Sequence, residues 1–543
     1  MSIYAQLTTL IPQTILLLPL LLLTIILLHV IHFYISYITR ENPLPGPIPL
    51  PLVGNLHQMS DTYRFFNKCY EQYGDIFEYY IGNRRAIMLN RVDMAENILT
   101  QSTKSKYFLR LVASNQGWEE LGFTERGLVG NKVMKNWSLN RRMLNFCLTS
   151  TKYIKEMVNV AQERFSEAEG YWAELGDGTP LEFTKWMHGI SVDTQIRTLT
   201  GQMTYALSAY RNSLLAEHQQ QSLPDSAINS YSKFINHLCA ISRIGQFFYL
   251  IPWYFRHYAP GIRGTAERMK KEAMWLQEEV RKIVQERKKE IENLKEGEEL
   301  RADLLSLMLT INTQKDLNVV KTGEFERPLN EDEIIQLLIE AFSAGVDSIT
   351  NALCFAIYHI CKHPAAKSRL IAEIDAALPS DTDILSYESL SGSFPYTTAV
   401  MKESSRLLTV APIIAQVSSE DDELAGYRWR AGITVGVNHG IIHRHKAYWK
   451  DPEAFKPERF LDECEDKVKP KTFLPFGGTL RICPGRFVAD RLIKTFLIML
   501  FRKYEVELCE PDKEVEYYYA MTNKCKGLKV YLKNRNKEHM TVA

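Results

Sequence analysis

Phe473-Leu474-Pro475-Phe476-Gly477-Gly478-Thr479-Leu480-Arg481-Ile482-Cys483-Pro484-Gly485-Arg486 decides how this chain of 543 residues is read. It sets one cysteine in a glycine-rich turn. An arginine lies two residues before the cysteine, and the pattern predicts a long apolar helix from Arg486 to about Tyr504. The first amides of such a helix point back at the turn, and the positive end of its dipole favours an anion. A cysteine so placed is favoured as the thiolate, the form that binds metals. The turn lets the backbone come close to something flat. Arg481 can pair with a carboxylate on that ligand.

A haem iron held by one cysteine thiolate satisfies all three features. The stretch also resembles the haem-binding signature of the cytochrome P450 family, Phe-x-x-Gly-x-Arg-x-Cys-x-Gly, with Phe476, Arg481, Cys483 and Gly485 in register. Thr479 stands where the family has a glycine. A β-branched residue resists φ > 0, so Gly478 is expected to take the strain of the turn. The plain alternative is a buried structural cysteine beside a helix start.

A second constellation lies upstream. The segment Pro328 to His363 predicts one very long helix, with Asn330 as its cap, Glu333 three residues on, and Pro364 beyond its end. Such a helix spans roughly 50 Å and crosses a whole domain. Inside it, Ala344-Gly345-Val346-Asp347-Ser348 combines a small residue, an acid and a hydroxyl. An acid in an apolar helix is costly unless used or paired. A hydroxyl bonding back to an earlier carbonyl can open the helical ladder. A kink with a salt-bridged aspartate is the plain reading. The segment also resembles the family's oxygen-activation motif, Ala-Gly-x-Asp/Glu-Thr, in which the acid and the hydroxyl deliver protons for O–O cleavage. Ser348 replaces the usual threonine, and Ile349 a second hydroxyl often found there.

Two further matches follow. Glu403 and Arg406 lie three apart on a predicted helix face, and Pro457-Glu458-Arg459-Phe460 comes some fifty residues later. They resemble the family's buried Glu–Arg–Arg triad, which implies that Glu403, Arg406 and Arg459 lock the core beside the haem. Trp137 and Arg141 resemble its Trp-x-x-x-Arg helix, which contacts a haem propionate. The four motifs occur in family order, and the resemblance covers about residues 43–535.

The remaining features agree. From Leu10 to about Ile38 the chain is apolar, and no Asp, Glu, Lys or Arg precedes Arg40. That exceeds the roughly 20 residues that cross a bilayer, and no basic start or small-residue cleavage site marks a signal peptide. Alternating prolines from Pro43 to Pro51 form a stiff spacer. The organisation is therefore a tail over 1–9, a transmembrane anchor over 10–38, a proline-rich hinge over 39–51 and a catalytic domain over 52–543. Residues 76–89 suggest a hairpin with its turn at Gly82-Asn83, and residues 311–326 a surface loop. The charged segment Glu267 to Asp303 carries one apolar stripe of Leu276, Val280, Ile283 and Val284, so its charges form a solvated face. Nine cysteines without a Cys-x-x-Cys pair argue against zinc ribbons and covalent haem attachment. A net charge of +1 gives no support to nucleic acid as a ligand.

The fold class expected is mainly α with small β-sheets, a cytochrome P450 fold preceded by one transmembrane helix. The resemblance implies a monooxygenase using haem b, with Cys483 as axial thiolate and Arg481, Phe476, Gly485, Trp137, Arg141, Ala344 and Gly345 around the cofactor. Asp347 and Ser348 are its expected catalytic residues. No dinucleotide or flavin fingerprint is found, so the expected electron donors are a separate NADPH–cytochrome P450 reductase and cytochrome b5. The reductase docks on a face that includes Lys132, Lys135, Arg142 and Arg486. By family position, the substrate-facing segments are about 103–125, 245–255, 341–348, 410–416 and 519–523. Phe108, Phe342, Ala344, Val410, Ile413, Ile414 and Met521 there are apolar, which implies a lipophilic terpenoid, steroid or fatty acyl substrate. The aromatic run Phe247 to Phe255 is read either as core or as a loop that dips into the bilayer. The implied location is the endoplasmic reticulum membrane, single-pass, with the catalytic domain cytosolic. A haem-thiolate isomerase or dehydratase needing no reductase, and a haem sensor needing no proton relay, are the alternatives.

Overall fold

The computed structural model describes residues 3–535 apart from 101, 103–104, 111–114, 177, 222, 224–231, 296–298, 314, 316–324, 381–382, 463 and 465–466. Most of the expected loop 311–326 and part of the substrate segment 103–125 therefore lie outside the described residues. The chain opens on the helix Ile3–Ile38, whose part Pro19–Ile38 is long and apolar enough to cross a bilayer. At its exit the chain is tied to the domain. Arg40 pairs with the buried Glu78 at 2.6 Å, Arg85 pairs with the same carboxylate at 2.5 Å, and the Tyr37 ring stands edge-on to Tyr80.

Helices dominate the rest. The helix Glu331–Lys362 passes through the centre, with Leu338, Phe342, Cys354 and Ile360 fully buried. Its start is the predicted one in chemistry and three residues later in position. Asn330 accepts from the Glu333 amide, and Glu333 accepts from the Asn330 amide, each at 2.9 Å. This reciprocal cap satisfies two donors that a helix start leaves free. The helices Phe183–Thr200, Pro395–Leu407 and Arg486–Lys503 pack around it. Over Ile262–Glu292, Leu276, Val280 and Val284 are buried and Ile283 is half-buried, so the charged face is solvated.

The sheets are small. The largest has five strands in the order Ile76–Ile81, Arg84–Leu89, Thr434–Asn438, Ile413–Val417, Leu109–Arg110. Only its second and third strands run parallel; Ile76 opposite Leu89 and Ile81 opposite Arg84 fix the predicted hairpin register. A second hairpin, Tyr517–Ala520 with Thr522–Cys525, turns at Met521, which takes a left-handed φ of 62°.

Two histidines in this core carry a pH signature. Neither ring nitrogen of His359 or His439 has a hydrogen-bond partner among the described residues. Burial pushes the imidazole pKa of His439 down to about 4 and that of His359 to about 3. Their folded-state pKa values lie below the unfolded value. The stability they permit is therefore full above about pH 6.5 and lost as pH falls toward 4, at about 3 kcal/mol for each. The melting temperature is expected to drop steeply between pH 6.5 and 4.5, and His439→Leu to flatten that slope. An unchanged slope contradicts the assignment.

Candidate active site

The loop around Cys483 is built from its own backbone. The Cys483 amide donates to the Phe476 carbonyl at 2.9 Å, that of Gly477 to Leu474 at 3.0 Å, and that of Ile482 to Thr479 at 3.0 Å. The strain expected at Gly478 falls instead on Gly477, at φ 82°; Thr479 is not left-handed. Thr479 is buried, and its hydroxyl accepts from the Arg481 amide at 3.1 Å. A hydroxyl thus caps the turn in place of a glycine. Gly478 gives room to the Leu474 side chain, whose Cδ2 would lie 2.6 Å from a Cβ there. Phe476 is partly exposed, at 37%.

Burial raises the Cys483 thiol pKa, and the Gly485 amide, Arg141, Arg110 and Arg486 pull it back toward the thiolate. Arg481 is buried and donates to three backbone carbonyls, Phe108 at 3.0 Å and Leu128 and Asn131 at 2.5 Å. Its guanidinium lies over the Phe108 ring at 4.2 Å and the Trp137 ring at 5.1 Å. Phe108, expected toward substrate, is thus occupied by the cation. Arg110 donates to the Arg481 carbonyl at 2.8 Å. Burial lowers the pKa of Arg110, Arg141 and Arg481, that of Arg481 to about 8. Arg110 also feels Glu340 on the central helix, which accepts from the Leu128 and Val129 amides at 2.7 and 3.1 Å. None of Arg110, Arg141, Arg481 and Arg486 is ion-paired with a described carboxylate.

On the central helix, Ser348 donates to the Ala344 carbonyl at 2.6 Å. Asp347 is ion-paired with Lys524 at 2.5 Å. Gly345 lets Gln195 approach, because a Cβ there would stand 2.9 Å from its Oε1. Ala344 is exposed although Phe342 and Val346 beside it are buried, so the helix shows an open face there. Phe342 is fully buried against Phe234, while Ile413 and Ile414 lie half-buried on one strand and Val410 is half-buried just before it.

Glu403, Arg406 and Arg459 lie together. Arg406 holds Glu403 through two bonds, of 2.7 and 2.8 Å, and Arg459 approaches the same carboxylate at 3.4 Å. Arg406 also donates to the carbonyls of His443, Pro452 and Ala454. On the surface, Lys132 is paired with Glu119 and Glu125, and Lys135 with Glu326. Arg142 lies over Phe325 and Arg486 over Phe487.

The family model described as Cytochrome P450 matches residues 44–527. The chain belongs to the cytochrome P450 family. It is 25% identical to the lithocholate 6-beta-hydroxylase of Mesocricetus auratus over 469 residues, 86% of each chain. It is likewise 25% identical to cytochrome P450 3A17 of Cavia porcellus, again over 86% of each. The crystal structure of the cytochrome P450DA haem domain superimposes with a TM-score of 0.72 at 20% identity, covering 91% of this chain and 98% of that one.

Cytochromes P450 are haem monooxygenases that bind the iron through a cysteine thiolate. The residues here fit that group. Buried arginines without a carboxylate are unfavourable on their own. A flat ligand carrying two carboxylates supplies the missing anions beside Cys483. Arg110, Glu340 and Lys524 were not singled out in the sequence. Arg110 sits only two residues from Phe108, but no spacing signals it.

Proposed function

We propose that this cytochrome P450 inserts one oxygen atom from O2 into a lipophilic terpenoid, steroid or fatty acyl compound. The overall reaction is R–H + O2 + two electrons + two protons giving R–OH and water. Electrons pass from NADPH through a separate NADPH–cytochrome P450 reductase, with cytochrome b5 as a second donor. The observation that carries the reading is the Cys483 loop, with its thiol ringed by arginines that have no carboxylate partner among the described residues. Haem, when bound, supplies the oxygen activation that side chains cannot.

Cys483 is the thiolate that holds it, and Arg141 and Arg481, joined by Arg110, neutralise its carboxylates. Asp347 and Ser348 hold and deliver the two protons. Glu403, Arg406 and Arg459 fix the core beneath the loop. A relative named for 6-beta hydroxylation of lithocholate supports a lipophilic substrate. So do the apolar Val410, Ile413, Ile414 and Met521.

The chain is anchored in the endoplasmic reticulum membrane with its catalytic domain in the cytosol. The run Phe247 to Phe255 divides between the two readings given it: Phe248 is core, whereas Trp253 is exposed at 46%, as is Tyr258 just beyond the run at 74%. Tyr254 donates to the Leu52 carbonyl at 2.5 Å, beside the exposed Ile48 and Leu50 of the hinge and the exposed Leu52 that follows it. Aromatic and aliphatic groups so grouped at the end of a span favour the bilayer surface.

The test is the full chain with reductase, NADPH and a panel of steroids, terpenoids and fatty acids. One class is expected to stimulate NADPH use and give a product heavier by one oxygen. Ser348→Ala is expected to release more hydrogen peroxide and to lower product per NADPH about tenfold or more, as loss of a proton-transfer group does. Conversion without NADPH supports the isomerase or dehydratase reading. No turnover of any class supports the sensor reading.

A further inference from the structure

Asp347 does not stand next to Ser348 as a free acid. Its carboxylate is bound to Lys524 at 2.5 Å, and the Ser348 hydroxyl donates to the Ala344 carbonyl of its own helix. The pair is largely shielded from solvent, with Lys524 13% and Asp347 16% exposed. A pair so placed is stronger than a surface ion pair, and costly to break by removing one partner. His188 and Cys239 face the pair from neighbouring helices, with Nε2 and Sγ 3.4 Å apart. Burial lowers the His188 pKa and raises that of Cys239, so both stay neutral and Lys524 is the cation that Asp347 answers to.

Lys524 belongs to the hairpin whose tip is Met521. That hairpin is fastened on two sides. The Asn523 amide donates to the Val410 carbonyl at 2.7 Å, and the Asn523 side chain to Thr409 at 2.8 Å. The Cys525 amide donates to Asn351 at 2.7 Å, and Asn351 donates in turn to the Asp347 carbonyl at 2.5 Å. Met521 and Val410 are two of the residues assigned to substrate above. Met521 also packs beside Gly245, where a Cβ would stand 3.6 Å from its sulfur. A compound that presses on Met521 therefore pushes on a short strand whose third residue holds Asp347.

We propose that Lys524 is a positioning residue that couples substrate occupancy at the Met521 hairpin to proton delivery by Asp347. The inference rests on the reading of Asp347 as a proton carrier. While Lys524 holds the carboxylate, the acid is turned to the hairpin. Displacement of the hairpin by substrate loosens the pair and frees the carboxylate to take a proton from solvent and pass it on. No atom is consumed; the proton that leaves Asp347 is replaced from water.

The experiment compares Lys524→Met, Lys524→Arg, Asp347→Asn and Lys524→Met/Asp347→Asn in the full chain. A first readout, melting temperature, needs no turnover. If the pair acts as a unit, the double variant melts no lower than the worse single variant; additive losses overturn the coupling. A second readout is product per NADPH and the solvent deuterium isotope effect, with the panel compound that stimulates NADPH use most. Lys524→Met is expected to lower product per NADPH about tenfold, less than the roughly hundredfold or more that a proton-transfer group itself contributes, and to change the isotope effect. Lys524→Arg is expected to restore both. Spectral affinity for the compound is expected not to fall, because without Lys524 the compound has no ion pair to loosen. An impaired Asp347→Asn with a normal Lys524→Met overturns this inference alone. A normal Asp347→Asn overturns the proton-carrier reading and this inference with it. Should Lys524→Met not fold, Lys524→Gln decides, since it keeps a hydrogen-bonding side chain but not the charge: it is expected to lower product per NADPH and to change the isotope effect, and unchanged values of both overturn the proposal.

Discussion

Glu403→Ala is expected to leave almost no folded, haem-loaded protein. The carboxylate is fully buried and shared by Arg406, Arg459 and the Lys456 amide. Removing it strands the Arg406 guanidinium, itself fully buried, with carbonyls and the Trp449 ring but no described anion for partners. Breaking one side of such a pair costs about 3–5 kcal/mol. Whole domains are stable by only about 5–15 kcal/mol. Glu403→Gln keeps the shape and part of the hydrogen bonding but not the charge, so it recovers little. The yield of soluble protein carrying haem, measured against wild type under the same expression, checks this. Normal yield from Glu403→Ala contradicts a supporting role for the triad.

The second large effect is chemical. Cys483→Ala is expected to abolish oxygenation while leaving the fold in place. The side chain itself contributes little packing; the loop is held by backbone bonds from residues 477, 482 and 483. What the substitution removes is the sulfur around which Arg110, Arg141 and Arg486 are arranged. Circular dichroism and melting temperature are expected to stay near wild type, and product formation in the reductase assay to fall to background. Cys483→Ser separates sulfur chemistry from shape: a serine fills the same space and is expected to be equally inactive. Residual oxygenation in either variant contradicts the ligand assignment.

Much of this site was legible because its residues are close in the chain. The loop from Phe476 to Gly485 states its own geometry, and the Asn330–Glu333 cap fixes where the central helix starts. The hairpin at 76–89 follows from alternation and a Gly-Asn turn. Other parts depend on contacts between distant segments. Asp347 meets Lys524 across 177 positions, and Arg110 meets Arg481 across 371. No periodicity links such residues, and an isolated lysine in a strand reads as surface. Phe108 shows a related limit: its apolar ring suggested a substrate contact, but the guanidinium of Arg481 lies on it. The glycine of the Cys483 turn was misplaced by one residue. The left-handed position is Gly477, and it was hidden because two glycines adjoin and only the backbone angles tell them apart.

The central claim is that Cys483 holds the haem iron through its sulfur. The most direct measurement is the spectrum of the reduced, carbon monoxide-bound full-length protein, wild type beside Cys483→Ala. Wild type is expected to show the strongly red-shifted Soret band of thiolate ligation, and the variant to lack it. A wild-type band without that shift, or a shifted band that survives in Cys483→Ala, contradicts the claim.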